Sequence, residues 1–190
     1  MGDTRYEMRF AGSGGQGVIL ASVILAEAAV IAGLRAVQSQ AYGPEARGGV
    51  SRAETILSRE QIWYSKVTRP DFLLALTQAS LDTYSKTLAD GALVMFDESL
   101  TPPAGLDGAR LAAVPILRCA KETVGKAFTA NIVAVGAINA ALRLFDGAVL
   151  EEAVRRHIPP GTEEINKKAL TAGAALISEE QAAAFAAQIG

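Results

Sequence analysis

Gly12-Ser13-Gly14-Gly15-Gln16-Gly17 lies between the run Tyr6-Glu7-Met8-Arg9-Phe10-Ala11 and an apolar stretch that opens at Val18. Four glycines in six residues predict a tight turn from a strand into a helix, with bare N–H groups aimed at whatever sits before the helix. An anion, above all a phosphate, suits that arrangement. Gly12, Gly14 and Gly17 also fit the dinucleotide pattern G-x-G-x-x-G in its proper context of strand before and helix after. Against a nicotinamide or flavin site, Gln38-Ser39-Gln40 in the following strand supplies no acid for a ribose. No Lys-Ser or Lys-Thr follows the glycines, so a P-loop is excluded and nucleotide hydrolysis is not expected. The plain structural use of the glycines, close packing of helix on sheet, is compatible with a ligand role.

A second glycine-rich segment is Tyr42-Gly43-Pro44-Glu45-Ala46-Arg47-Gly48-Gly49. Gly43-Pro44 signals a turn, and Gly48-Gly49 lets another backbone or a ligand come near. Glu45 and Arg47 can simply pair on the surface, but an exposed pair contributes only about 0–1 kcal/mol. The planar guanidinium of Arg47 is better suited to bidentate contact with a phosphate, a carboxylate or an acidic group on a partner. The candidate binding residues are therefore Gly12, Ser13, Gly14, Gly15, Gln16, Gly17 and Arg47.

Working outward, the apolar periodicity predicts a strand over 6–11, a buried helix from about Gly17 to Gly33, and a strand over 36–40, which together form a βαβ opening. Residues 50–57 alternate as a half-exposed strand should, and Ile62-Trp63-Tyr64 is expected to pair back on them as a hairpin inserted beside the main sheet. Further buried strands are expected over 71–77, 92–97 and 113–117, with helices over 80–89 and after Ala120. Helices over 131–145, 149–157, 163–177 and 179–189 complete a helical C-terminal third. The expected class is α/β: a mainly parallel, doubly wound sheet with a hairpin insertion, in one domain covering residues 1–190.

Composition narrows the function. The 190 residues are 50% hydrophobic and 20% charged, with a formal net charge of -2, enough for one substantial core and without a basic stripe for nucleic acid. The longest apolar run, 18–32, is too short for a membrane span and contains Glu27, and no basic region feeds an apolar signal core. A cytoplasmic protein is expected. The single cysteine, Cys119, cannot form an internal disulfide or hold an iron–sulfur cluster, which normally takes four thiolates. No catalytic or metal-ligating constellation emerges elsewhere. His157, beside Arg155 and Arg156, reads as a cation at a helix end. Asp97-Glu98-Ser99 follows a buried strand and suits a turn or cap. Trp63 and Tyr64 beside Lys66 and Arg69 suit aromatic packing in the hairpin or an interface anchor.

The glycine segments, together with Ser51-Arg52-Ala53-Glu54, Asp71-Phe72-Leu73-Leu74-Ala75-Leu76, Asp97-Glu98-Ser99-Leu100, Asn131-Ile132-Val133-Ala134-Val135-Gly136-Ala137 and Pro160-Gly161-Thr162-Glu163-Glu164-Ile165-Asn166-Lys167-Lys168-Ala169-Leu170, closely resemble the gamma subunit of 2-oxoacid:ferredoxin oxidoreductases. Order and spacing match, and the short chain looks most like the 2-oxoglutarate-specific members. The resemblance implies a multisubunit enzyme that oxidatively decarboxylates a 2-oxoacid, passes two electrons to ferredoxin and forms an acyl-coenzyme A. It places thiamine diphosphate between alpha and beta subunits and the iron–sulfur clusters on beta and a ferredoxin-like delta chain. This chain would carry no cofactor, be inactive alone, and complete the assembly and the coenzyme A cavity. A homodimer of the isolated chain stays open. The alternative is a self-sufficient NAD- or FAD-binding oxidoreductase.

Overall fold

The computed structural model describes residues 5–41 and 50–187. Its elements run β1 (Arg5–Ser13), α1 (Val18–Ile31), β2 (Arg35–Ala41), β3 (Val50–Ser58), β4 (Phe72–Ala75), α2 (Gln78–Tyr84), β5 (Leu93–Asp97), β6 (Arg110–Val114), α3 (Ile116–Arg118), α4 (Ala130–Leu142), α5 (Gly147–His157), α6 (Glu163–Ala174) and α7 (Glu179–Phe185). A π-helical turn, Cys119–Val124, and a 3-10 turn, Ala127–Thr129, join α3 to α4. The six strands form one sheet in the order β2-β3-β1-β4-β5-β6. Only β3 runs against the others, since it is antiparallel to both β1 and β2 while β1, β4, β5 and β6 pair in parallel.

Both faces of the sheet are covered, as strands apolar on two sides require. Met8, Phe10, Phe72, Leu74, Leu93 and Met95 face the main core, built with α1, α4, α5 and α6. Leu73, Ala75, Val94 and Phe96 face a smaller core closed by Leu81 of α2. The α1 helix ends in a Schellman motif: Gly33 has φ 81°, its N–H donates to Val30 O at 3.0 Å, and the Leu34 N–H donates to Ala29 O at 2.8 Å. Helices α4 and α6 touch through glycine. A Cβ on Gly136 would stand 2.2 Å from Leu170 O, and one on Gly173 2.0 Å from Val133 O, so the two backbones approach as no larger residue permits.

The sheet departs from the sequence reading at two places. The expected hairpin of residues 50–57 with Ile62-Trp63-Tyr64 does not form; β3 pairs with β2 and β1, and residues 61–67 have no regular structure. The hairpin arms are β2 and β3, and β3 is an interior strand buried through its second half. An interior place for β3 is compatible with its buried acid because Glu54 is paired with Arg9 of β1. The strand expected over 113–117 lies at Arg110–Val114 because Pro115, with no N–H to give a ladder, ends it and starts α3. Helix α7 ends at Phe185, short of 189; beyond it the Ala187 N–H donates to Leu142 O at 2.9 Å.

Candidate functional site

The strand β1 carries the chain into its glycine turn at the carboxyl edge of the sheet, where α/β folds collect ligands. Gly15 and Gly17 take positive φ, 88° and 71°, which explains glycine at both. Gln16 holds the turn in shape: its Oε1 accepts from the Ser13 N–H at 2.7 Å and its Nε2 donates to Leu76 O, beyond β4, at 3.2 Å. The Gln16 N–H donates to Ser13 O at 3.2 Å. Gly12 is buried beneath that amide; a Cβ there would stand 2.6 Å from Gln16 Oε1. Gln16 therefore links β1 to β4 across the point where α1 departs over one face and α2 over the other.

Gly14 and Gly15 are exposed and open, with nothing within 4 Å of where a Cβ would stand. Among the described residues no hydrogen bond engages the N–H groups of Gly14, Gly15 or Gly17. No side chain caps α1, whose first turn adds the unpaired N–H groups and positive dipole of a helix N-terminus. Gly17 abuts the start of α4, since a Cβ on it would stand 2.7 Å from Asn131 Nδ2. Asn131 is the residue that sequence reading missed. Its signal in the sequence is a polar residue at the start of a mostly apolar helix, in a segment that carries the family resemblance.

Tyr42-Gly43-Pro44-Glu45-Ala46-Arg47-Gly48-Gly49, and with it Arg47, lies outside the described residues. The strands that flank it end beside the glycine turn, for Val50 pairs with Ser13 and Arg52 with both Ala11 and Ala41.

The other candidates have local tasks. The Asp97 carboxylate is 2% exposed and is used by its own loop: Ser99 donates from N and Oγ to Oδ1 at 3.1 and 2.6 Å, and the Leu117 N–H donates to Oδ2 at 2.8 Å, capping α3. His157 ends α5 beside Arg155 and Arg156, with Nε2 3.8 Å from Glu27 Oε2. Cys119 is buried in the main core. Trp63 and Tyr64, which suit either packing in a hairpin or an interface anchor, project from the 59–70 segment at 90% and 56% exposure. Arg5 of β1 fixes that segment from below, donating to Tyr64 O and, at 2.9 Å, to Lys66 O. No helix among the described residues is long and apolar enough to cross a membrane.

The topology removes the dinucleotide alternative. A Rossmann site places the second strand beside the first, with its ribose acid at that strand's end; here β3 separates β2 from β1, and Gln38 of β2 spends its amide on Ser22 Oγ at 3.1 Å. Residues 7–176 match the family described as pyruvate ferredoxin/flavodoxin oxidoreductase. The chain belongs to this family. It is 42% identical over 184 residues to the 2-oxoglutarate synthase subunit KorC of Methanothermobacter thermautotrophicus, covering 93% of this chain and 97% of that one. It is also 42% identical to the crystal structure of the gamma subunit of keto/oxoacid ferredoxin oxidoreductase from Geobacter sulfurreducens PCA, with a TM-score of 0.81 over 95% of this chain and 98% of the other. Its fold recurs, at 22% identity and a TM-score of 0.83, over 92% of this chain and 31% of a longer one, in the 2-oxoglutarate:ferredoxin oxidoreductase from Magnetococcus marinus with 2-oxoglutarate, coenzyme A and succinyl-CoA bound. The chain is thus the gamma subunit of a multisubunit 2-oxoacid:ferredoxin oxidoreductase.

Proposed function

We propose that this gamma subunit serves a cytoplasmic enzyme acting on 2-oxoglutarate, and that its 12–17 turn, with Arg47, receives a phosphate group of coenzyme A. The whole enzyme would decarboxylate the 2-oxoacid, hand two electrons to ferredoxin and attach the acyl group to the coenzyme A thiol. The substrate assignment draws on the full-length 42% identity to a 2-oxoglutarate synthase subunit. The observation that carries the site assignment is the exposed pair Gly14 and Gly15 in the turn before α1, with open space where a Cβ would stand and no hydrogen bond to their N–H groups among the described residues.

This chain's own residues do not fit an iron–sulfur cluster. One thiol, buried in the core, cannot supply the ligands of an iron–sulfur cluster. Clusters and thiamine diphosphate belong, on this reading, to the alpha, beta and ferredoxin-like delta partners, and ferredoxin reaches this chain only through them. That the fold fills 31% of a much longer oxidoreductase chain supports a large neighbour held against this domain. What remains for gamma is positioning: to hold the anionic end of coenzyme A while other subunits do the chemistry.

Reconstitution tests this directly. The complex of partner subunits with this chain should reduce viologen in the presence of 2-oxoglutarate and coenzyme A, and this chain alone should not. Gly14→Val fills space that is open in the fold, so it should leave the melting temperature unchanged while raising the KM for coenzyme A about tenfold. Arg47→Ala should do the same or weaken assembly. Normal coenzyme A kinetics in both variants would remove the turn from the coenzyme A site, and activity with pyruvate in place of 2-oxoglutarate would overturn the substrate.

A further inference from the structure

Asn131 is the second residue of α4, and it is only 6% exposed. The orientation of its amide is set by its own helix, because the Ile132 N–H donates to Oδ1 at 3.0 Å. The acceptor end is thereby occupied, and the Nδ2 end is left to donate. That end lies against the glycine turn: a Cβ on Gly17 would stand 2.7 Å from Nδ2 and 2.9 Å from the Asn131 Cβ and Cγ. Glycine at position 17 serves the amide as well as the backbone angle.

Among the described residues, Nδ2 has no acceptor. A buried amide with one end fixed and its donor end open is a built hydrogen-bond donor, since such groups in folded proteins are ordinarily satisfied. Around it converge the N-termini of α1 and α4, both more than three turns long and both without a side-chain cap from their N-cap residue. The uncapped start of α1 and a one-way donor favour an oxyanion.

We propose that Asn131 Nδ2 donates to the anion held by the Gly14 and Gly15 amides, making Asn131 a specificity-determining residue of the site, one that donates to a phosphate oxygen and offers no free acceptor to a hydrogen-bond donor. This rests on the glycine turn being the phosphate cradle of coenzyme A. Asn131→Asp is the informative variant. It preserves an acceptor for the Ile132 N–H and places an acid in the first turn of a helix, where acids stabilise, so it keeps the fold while deleting the donor and adding repulsion.

The full-length chain, labelled with 15N, is titrated with inorganic diphosphate. The expected result is that the Asn131 side-chain amide and the Gly14 and Gly15 backbone amides shift together along one binding curve, and that Asn131→Asp weakens that curve at least tenfold at an unchanged melting temperature. In the assembled enzyme the same variant should raise the KM for coenzyme A about tenfold with the KM for the 2-oxoacid unchanged. If the glycine amides shift while the Asn131 amide stays still, and Asn131→Asp binds like the parent, the role of Asn131 is overturned and the cradle stands. If the glycine amides themselves do not respond in the unaltered chain, it is the cradle that fails.

Discussion

Arg9 of β1 and Glu54 of β3 face each other in register across the sheet, joined by a 2.9 Å bond from Nε to Oε1. Both residues are buried, at 4% and 8% exposure. The guanidinium also donates to Val67 O at 3.0 Å and to Thr87 Oγ1 at 3.3 Å, and it lies over the Tyr84 ring with 5.5 Å to the centroid. One side chain thus secures β3 beside β1, ties down the 59–70 segment and supports α2. Removing a single partner of a buried ion pair strands the other charge, so Glu54→Leu should lose about 3–5 kcal/mol in urea denaturation. Arg9→Met with Glu54→Leu should recover much of that loss, and a double variant no better than the single one would contradict the pairing.

That pair also marks where the sequence is legible. The glycine turn, the α1 stop at Gly33 and the βαβ opening are local, written by φ requirements and apolar periodicity within a few residues. Strand β3 is not local: residues 50–57 read as a half-exposed strand until Arg9, far away in the chain, is laid beside Glu54. The site divides in the same way. Gly14 and Gly15 were visible because only glycine makes that turn so bare, and the structural use of Gln16 became visible only once Leu76 was placed across from it. Asn131 reaches Gly17 only through the packing of α4 on α1, which no pattern within either helix encodes.

Helix α1 is apolar around its whole circumference, and on sequence alone every side of it is expected to be buried. The structure distinguishes its sides: Ile24 is fully buried, whereas Val30, near the end of the helix, is 57% exposed. Ile24→Asp should therefore destabilise the chain by several kcal/mol, as an unpaired charge forced into a packed core does. Val30→Asp should fall within about 0.5 kcal/mol of the parent. Thermal unfolding of the two variants, run side by side, checks this placement of the helix, and similar melting curves would refute it.

Tyr6 gives an alkaline signature. Burial pushes its phenol well above the ordinary value near 10, the Asp71 carboxylate adds to the shift, and Arg110 partly offsets it. Above pH 10 the unfolded chain releases this proton and the folded chain keeps it, so the unfolded state binds fewer protons and stability falls as pH rises. The slope from one such group approaches about 1.4 kcal/mol per pH unit. Tyr6→Phe should remove that part of the alkaline loss. Because the Tyr6 hydroxyl has no hydrogen-bond partner among the described residues, the variant should be at least as stable as the parent at pH 7. Chemical denaturation at pH 7, 10 and 11 reads both effects, and parallel pH profiles would show that the phenol titrates normally.

Trp63 offers the clearest test of assembly. An indole at 90% exposure and a phenol at 56% beside it stand on a segment whose carbonyls are held by Arg5 and Arg9, so the aromatic groups are presented on a braced backbone. Tryptophan and tyrosine carry a disproportionate share of binding energy when a partner buries them, and little folding energy is lost when an exposed ring is removed. In the multisubunit enzyme, Trp63→Ala should leave the melting temperature of the isolated chain within about 2 °C of the parent, the scale of a surface substitution. It should weaken capture of the partner subunits by about tenfold or more, a loss of about 1.4 kcal/mol. Pull-down with tagged variant and parent chains at matched concentration measures the difference. Equal recovery of the partners would mean that they bind elsewhere on the surface and leave this indole in water.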